Sequence, residues 1–392
     1  MLPDLIAAHI RERGPMTVAA FMDLSLYHPE AGYYTRTAQR SGRTGDFVTS
    51  VDVGPLFGEL LGRQLIEMAH VLSDGASSSR AFDLVEAGAG NGRLAADMMS
   101  ALRSACPSLY ERTALHLVEV SPAARAAQRA TLERDGHRLA SSASSLPSGF
   151  EGVLVANELL DAMPVHQVVM QGTGLSEVYV DVDHHTLRTV TGPTSTPDLG
   201  AYLRSAGVVL QAGWIAEIGL RAAAWIREAA RGLARGFLIL IDYGHEARHL
   251  YSATHASGTL TSYHRQVPTP GDGPRPVWLD RPGGQDISAH VDFSSLRAAA
   301  QEEGLTSLGL LDQTYFLMGI LGLSSPVLSS PSSNLPSPYW SAFAESSNLS
   351  SRLALKTLLW PGGLGSTMKV LILGKGVGHP ALMGCSGRMR VT

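Results

Sequence analysis

Four near-continuous apolar runs constrain the fold more than any other feature of this sequence. Helical stretches separate most of them, and the runs are AFDLVE (81–86), LHLVEV (115–120), EGVLVAN (151–157) and GFLILIDYG (236–244). Strands that are apolar on both faces are typical of a parallel sheet covered by helices on both sides. The sequence therefore predicts an α/β protein with a doubly wound, Rossmann-like sheet.

The polar segment DGASSSR divides the chain into two parts. Residues 1–78 form an N-terminal helical extension, in which an amphipathic pattern predicts a helix from about residue 55 to residue 72. Residues 79–392 form the sheet domain. We expect an inserted α+β region at about 163–235, because its strand patterns alternate between polar and apolar residues. A Ser- and Pro-rich stretch predicts a mobile loop at about 323–340.

Composition excludes several classes of protein. The formal net charge is −4, from 31 Lys and Arg against 35 Asp and Glu, so no overall positive field favours nucleic acid as a partner. Two cysteines, Cys106 and Cys385, are too few for a disulfide framework. No apolar stretch approaches the roughly 18 to 20 residues of a membrane span, and we find no targeting pattern. We expect a cytoplasmic protein without membrane insertion.

A glycine-rich loop follows the first apolar run. In LVEAGAGNGRL, Gly88, Gly90 and Gly92 come directly after the strand that ends at Glu86 and precede a helical stretch. Such glycines let the backbone approach a ligand at the helix N-terminus. A dinucleotide motif, G-x-G-x-x-G, would need a glycine where Arg93 stands, whereas G-x-G-x-G after an acid resembles the first motif of S-adenosylmethionine-dependent methyltransferases. A tight turn without a ligand is the remaining alternative.

The second run ends in an acid, Glu119. A carboxylate at this point can accept hydrogen bonds from both ribose hydroxyls of a bound nucleoside, as in dinucleotide folds. Both cofactor classes require this group. The alternative is a solvated strand end.

Polar residues cluster where the third run ends. Asn157, Glu158, Asp161 and His166 lie within ANELLDAMPVHQ, and a spacing of three places the two acids on one face if the segment is a helical turn. Two carboxylates suit a cationic substrate, and the planar guanidinium of arginine matches them bidentately. Alternatively, Glu158 caps the turn, Asp161 is solvated and His166 packs against the following strand.

A competing motif occurs after the fourth run. HEARH (245–249) matches H-E-x-x-H, and His255 stands where extended zinc-protease motifs carry a third ligand. That motif needs a helix with both histidines on one face, but here it follows directly on a strand, and Ser252 replaces the expected glycine. We therefore assign no metal ligand, and a zinc metallohydrolase is our third hypothesis.

Together with further segments, these motifs resemble the MidA family, whose mitochondrial member is a complex I assembly factor that methylates an arginine of a core subunit. The matching segments follow the family's order nearly from end to end: GYYTR (32–36), GDFVTS (45–50), FGELLG (57–62), LVEAGAGNG (84–92), LVEVSP (117–122), ANELLDAMPVHQ (156–167), IDYGH (241–245), QDISAHVDFSSL (285–296) and PGGLGSTMKVLILGKG (361–376).

The resemblance implies a methyltransferase sheet, S-adenosylmethionine as cofactor and an N-terminal segment that covers the cofactor pocket. Joined to the motifs, it gives a cofactor-binding set comprising Glu86, Gly88, Gly90, Gly92, Glu119, Asn157, Asp46 and Ser50. The catalytic set comprises Glu158, Asp161, His166 and Asp242.

The predicted function is therefore methyl transfer from S-adenosylmethionine to an arginine side chain of a protein. By resemblance, the partner is a subunit of a respiratory NADH dehydrogenase. A second hypothesis is a non-catalytic assembly chaperone that binds S-adenosylmethionine without turnover.

Overall fold

The structure is a computed structural model. It describes residues 2–36, 49–73, 81–184, 186–264, 267–268, 275–322, 349–359 and 367–386. Asp46 and the loop predicted at about 323–340 lie outside the described residues.

The larger sheet has eight strands and carries the glycine loop. Its strands are β2 (Phe82–Ala87), β3 (Thr113–Val118), β4 (Leu139–Ala143), β5 (Phe150–Asn157), β10 (Leu233–His245), β14 (Val291–Asp292), β15 (Thr306–Asp312) and β16 (Met368–Lys375). The order β10-β5-β2-β3-β4 is parallel throughout, β16 runs antiparallel between β10 and β15, and β14 pairs with the end of β10. The predicted doubly wound α/β fold is confirmed.

Helices connect these strands and lie on both faces of the sheet. The helices are α1 (Leu2–Arg13), α2 (Val18–Tyr27), α3 (Leu56–Leu72), α4 (Arg93–Ala105), α5 (Pro107–Arg112), α6 (Pro122–Leu132), α7 (Asp198–Ser205), α8 (Leu220–Gly232), α9 (Ala247–Leu250), α10 (Phe293–Glu302), α11 (Gln313–Leu321) and α12 (Leu349–Leu359). No helix within the described ranges is both long and apolar enough to cross a membrane.

Strand β10 shows why its sequence is apolar at successive positions. Ile239 and Ile241 pack into the core that α3, α4, α11 and α12 cover, whereas Leu238 and Leu240 pack into the core beneath α8 and α10. All four side chains are 0% exposed. Both faces of the strand are therefore buried, as the near-continuous apolar run predicted.

A second sheet is formed by five strands from the N-terminal segment and the inserted region. It contains β1 (Met16–Thr17), β6 (His166–Gln171), β7 (Gly174–Asp183), β8 (Thr186–Gly192) and β9 (Ile215–Ile218), all antiparallel. Its β1 comes from the N-terminal segment, which thereby packs against the inserted strands. Helix α8, which follows β9 and lies within the range 163–235, packs on the larger sheet.

A third, small sheet joins β11 (Thr261–His264), β12 (Val267–Pro268) and β13 (Asp286–Ser288). The side chain of Ile287 on β13 is buried in the core formed with α1 and α2. This sheet therefore anchors the segment before β14 to the N-terminal helices.

Candidate functional site

A cavity of about 1100 Å³ opens at the carboxyl ends of β2, β3 and β5. In open α/β sheets, ligands bind at this edge. Six of the residues predicted for the site line its wall: Glu86, Gly88, Gly90, Glu119, Asn157 and Glu158. The strand ends thus bring together groups that lie more than 70 positions apart in the chain.

The glycine loop connects β2 to α4, and its backbone is hydrogen-bonded to the end of β3. The amides of Gly88 and Ala89 donate to the carbonyl of Val118, at 2.9 and 3.1 Å. Gly88 has a φ of +72°, and a Cβ there would lie 3.0 Å from Leu159. Gly92 does not line the cavity. It is the N-cap residue of α4 and has a φ of +89°. These conformations are ones that other residues rarely adopt.

Glu119 is held at the cavity wall by backbone amides. Its Oε2 accepts a hydrogen bond from the Gly90 amide at 2.8 Å, and its Oε1 accepts one from the Ser121 amide at 2.7 Å. Each carboxylate oxygen can accept a second hydrogen bond. The side chain is therefore fixed in orientation and can still receive the two hydroxyls of a ribose.

Within the described ranges, two buried acceptor atoms at the cavity have no hydrogen-bond partner. They are Oε2 of Glu86 and Oδ1 of Asn157, and burial raises the pKa of Glu86 to about 8. Unsatisfied acceptors in a buried site are costly unless a ligand supplies donors. The α-ammonium group of S-adenosylmethionine is such a donor, so these residues fit that cofactor.

The N-terminal segment reaches the same site through its backbone. The Ser50 amide donates to Oε1 of Glu158 at 3.1 Å, while the Ser50 hydroxyl is buried against Gln313 at 3.3 Å. Asp52 forms an ion pair with Arg93 on the cavity wall at 2.7 Å. These contacts therefore hold the segment against α4 and the end of β5. Ser50 contacts Glu158 through its backbone amide and not through its side chain.

The end of β5 is a tight turn and not the helical turn considered from the sequence. Glu158 has a φ of +51°, so the spacing argument for a shared helical face with Asp161 is wrong. Burial, strengthened by the charge of Asp242, raises the pKa of Glu158 to about 8. Burial and the neighbouring acids Asp242 and Asp286 raise the pKa of Asp161 well above its usual range. The acids still converge, through the turn and not through a helix.

Asp242 does not line the cavity, although we placed it in the catalytic set. Its Oδ2 accepts hydrogen bonds from the amides of Leu159, Leu160 and Asp161, at 3.1, 2.7 and 3.3 Å. Burial raises its pKa to about 6 despite these donors. The structure thus gives Asp242 a positioning contact with the turn that carries Glu158.

His166 is likewise absent from the described cavity wall. Its Nδ1 lies 2.7 Å from Oε1 of Glu177 on the neighbouring strand β7, and Glu177 is 0% exposed. The pair joins two strands of the second sheet. This arrangement matches the alternative in which His166 packs against the following strand.

Two tyrosines that the site prediction did not include line the cavity. The rings of Tyr27 and Tyr34 stack with centroids 5.7 Å apart. The Tyr34 hydroxyl donates to Asp286 at 2.7 Å, and the Tyr27 hydroxyl donates to the Ala162 carbonyl at 3.0 Å. The motif GYYTR contains Tyr34 and was the only sequence signal that pointed to this wall.

The HEARH segment lacks the helix that a zinc-protease motif requires. His245 ends β10, and the four-residue helix α9 begins only at Ala247, so His245 and His249 do not share a helical face. Glu246 forms an ion pair with Arg297 at 3.0 Å. The ligand geometry of a metalloprotease is therefore absent from this segment.

The fold and the site define a class of protein. A Rossmann-like sheet, a glycine loop after its first strand, an acid at the end of the second strand and buried acceptors for an ammonium group are the features of an S-adenosylmethionine-dependent methyltransferase. A family model described as S-adenosyl-L-methionine-dependent methyltransferase matches residues 60–311, and the chain belongs to that family.

Individual proteins agree with this assignment. The chain is 32% identical to protein arginine methyltransferase NDUFAF7, mitochondrial, of Mus musculus, over 79% of this chain and 72% of that protein. The human protein of the same name is 32% identical over 79% of this chain and 71% of its own length. A COG1565 superfamily member from Burkholderia thailandensis, bound to S-adenosyl-homocysteine, is 29% identical with a TM-score of 0.82, over 98% of this chain and 94% of that chain. The resemblance and the cofactor predicted from the sequence are confirmed.

Proposed function

We propose that this methyltransferase modifies an arginine side chain of a protein. The observation that carries the proposal is the group of acids at one end of the cavity: Glu158 on the wall, with Asp161 and Asp242 next to it. None of these three forms an ion pair with a Lys or Arg of the described chain. Burial raises the pKa of all three acids, and a guanidinium beside them would favour their charged forms.

The relatives named above support an arginine acceptor through their names. Both mammalian proteins are protein arginine methyltransferases.

The residues of this chain would bind and orient the acceptor. Glu158 would accept two N–H groups of the guanidinium, which fixes its plane, and the Ser50 amide and Asn157 hold the Glu158 carboxylate in place, each at 3.1 Å from Oε1. S-adenosylmethionine supplies an electrophilic methyl group on a sulfonium. Formation of the nitrogen–carbon bond would break the sulfur–carbon bond and release a neutral thioether. The guanidinium nitrogen would lose a proton, which Glu158 would accept at Oε2.

An experiment with labelled cofactor tests the proposal. An extract that lacks the enzyme is incubated with the full chain and methyl-labelled S-adenosylmethionine, and the protein is hydrolysed and analysed for methylated amino acids. We expect label in methylarginine, with Glu158→Gln reducing the rate at least about 100-fold because the guanidinium loses its anionic partner.

Glu228→Gln is the matched control, because Glu228 lines the same cavity outside the group of acids. It should retain the wild-type rate. Label in methyllysine, or an equal rate for Glu158→Gln, would contradict the proposal. S-adenosylhomocysteine binding without label in any protein would favour the chaperone hypothesis instead.

The partner and the location are proposals too. A subunit of a respiratory NADH dehydrogenase, which the resemblance to the MidA family implies, is the first acceptor to test by adding it in purified form. The cytoplasmic location expected from the sequence stays a prediction, and microscopy of the tagged full chain would test it.

A further inference from the structure

Three histidine rings lie close together outside the cavity, at the carboxyl end of β10. They are His245, His255 and His290, and one ring nitrogen of each lies within 4.8 Å of the other two. Their ring centroids are 5.1, 5.4 and 5.8 Å apart. The extended HEARH motif contains two of the three, His245 and His255, but it does not include His290.

Strand pairing fixes two of the three rings. His245 is the last residue of β10, and the parallel pairing of β10 with β14 places Gly244 opposite Val291. His290 directly precedes β14. A Cβ on Gly244 would lie 2.1 Å from the Val291 carbonyl oxygen, so glycine is what permits this close approach. The two rings are thus presented by a rigid part of the fold.

His255 comes from the third segment, the 3-10 turn Ala253–His255. Its Nδ1 lies 3.0 Å from the carbonyl oxygen of His249. A ring nitrogen in that position donates its proton to the carbonyl, which leaves the lone pair on Nε2. Histidines that bind metals are usually oriented by such a hydrogen bond to a backbone carbonyl.

His290 gives independent evidence for a ligand. Its Nδ1 is buried and has no hydrogen-bond partner among the residues that the structure describes. Neutral imidazoles with free lone pairs are the form that binds metal ions.

The donor set selects the kind of ion. Three imidazole nitrogens suit Zn²⁺, Co²⁺ or Cu²⁺, whereas Mg²⁺ and Ca²⁺ require oxygen ligands. Zinc with three histidines keeps a fourth position for water, at Zn–N distances of about 2.0–2.1 Å. Nitrogens that share a tetrahedral zinc ion lie about 3.3 Å apart. Rotations of the three side chains would bring the ring nitrogens, now within 4.8 Å of one another, to that spacing.

We propose that His245, His255 and His290 bind a zinc ion. The ion would link the turn after α9 to the end of β10 and to the segment before β14. That segment touches the methyl-transfer site, because the amide of Ala289 donates to the carbonyl of Asp161 at 2.9 Å. The bound ion thus restrains the backbone behind the acids of the cavity. The site does not depend on the identity of the methyl acceptor.

Metal titration of the dialysed, metal-free full chain tests the site. We expect one Zn²⁺ per chain with a dissociation constant below about 1 μM, a rise in the unfolding temperature with zinc, and visible absorption of tetrahedral type when Co²⁺ is used. His255→Ala and His290→Ala should each weaken zinc binding at least about 100-fold.

His249→Ala is the matched control, since His249 lies in the same segment, is exposed and is not one of the three ligands. It should bind zinc as the wild type does. Binding of S-adenosylhomocysteine by each variant shows that it has folded. Because residues of the turn at His255 are exposed, we expect His255→Ala to disturb folding less than His290→Ala. Absence of stoichiometric zinc binding, or equal zinc affinity in the wild type and the two ligand variants, would overturn the proposal.

Discussion

Glu86 connects cofactor binding to pH at the scale of a single residue. Its pKa is about 8 in the free chain because it is buried, and an ammonium group beside its unpartnered Oε2 would lower that value. The bound state then holds fewer protons than the free state, so affinity must rise with pH up to about 8. We expect S-adenosylhomocysteine to bind about tenfold more tightly at pH 8 than at pH 6.5.

Tryptophan fluorescence measures this affinity, since Trp225 lies on the cavity wall. Glu86→Gln removes the titrating group and should remove most of the difference between the two pH values. A difference that persists unchanged in the variant would assign the proton to another group.

Site residues could be predicted from the sequence when they follow a strand directly. Glu119 and Asn157 stand at strand ends, and parallel strands deliver their ends to one edge of a sheet. Tyr34 was not identified, because its partner Asp286 is 252 positions away and nothing local marks the contact. Asp242 was predicted as a catalytic residue, but its contact with the turn after β5 is visible only from the three amides that it binds.

At the scale of elements, the contact between α3 and α4 depends on two glycines. A Cβ on Gly58 would lie 2.4 Å from Cβ of Asp97, and one on Gly62 would lie 2.5 Å from Cβ of Ala101. Both glycines belong to FGELLG on α3. Their absent side chains let the two helices approach closely.

Gly62→Ala tests this contact, since alanine should gain about 1 kcal/mol from helix propensity alone. We expect instead a net loss of about 1–3 kcal/mol in the free energy of unfolding, because the new methyl group overpacks the interface. Urea denaturation measures it. Gly172→Ala, in the hairpin turn between β6 and β7 with nothing within 4 Å, is the control. A stabilised Gly62→Ala variant would show that the helices can separate freely.

Elements with strong periodicity were predictable, whereas the edge strand β4 was not. The helix expected from about residue 55 to residue 72 is observed as Leu56–Leu72. Strand β4, with the sequence LASSA, was missed because it is an edge strand with only partly buried or exposed side chains. An edge strand of this kind needs no apolar run, so its sequence carries no periodic signal.

At the scale of the whole molecule, strand pairing between distant segments holds the N-terminal segment over the cavity. Met16 pairs with Val180 and Thr17 with Tyr179 in the second sheet. These contacts hold the N-terminal helices against the inserted strands. The family resemblance implied a covering segment, whereas periodicity alone could not predict which strand it would join.

The central claim is that the cavity at the strand ends binds the cofactor, with Glu119 receiving its ribose. Calorimetric titration of S-adenosylhomocysteine into the full chain and into Glu119→Ala tests it most directly. We predict saturable one-to-one binding, weakened about ten- to 100-fold in the variant through the loss of charged hydrogen bonds. No binding at millimolar ligand, or equal affinity in the two proteins, would contradict the claim.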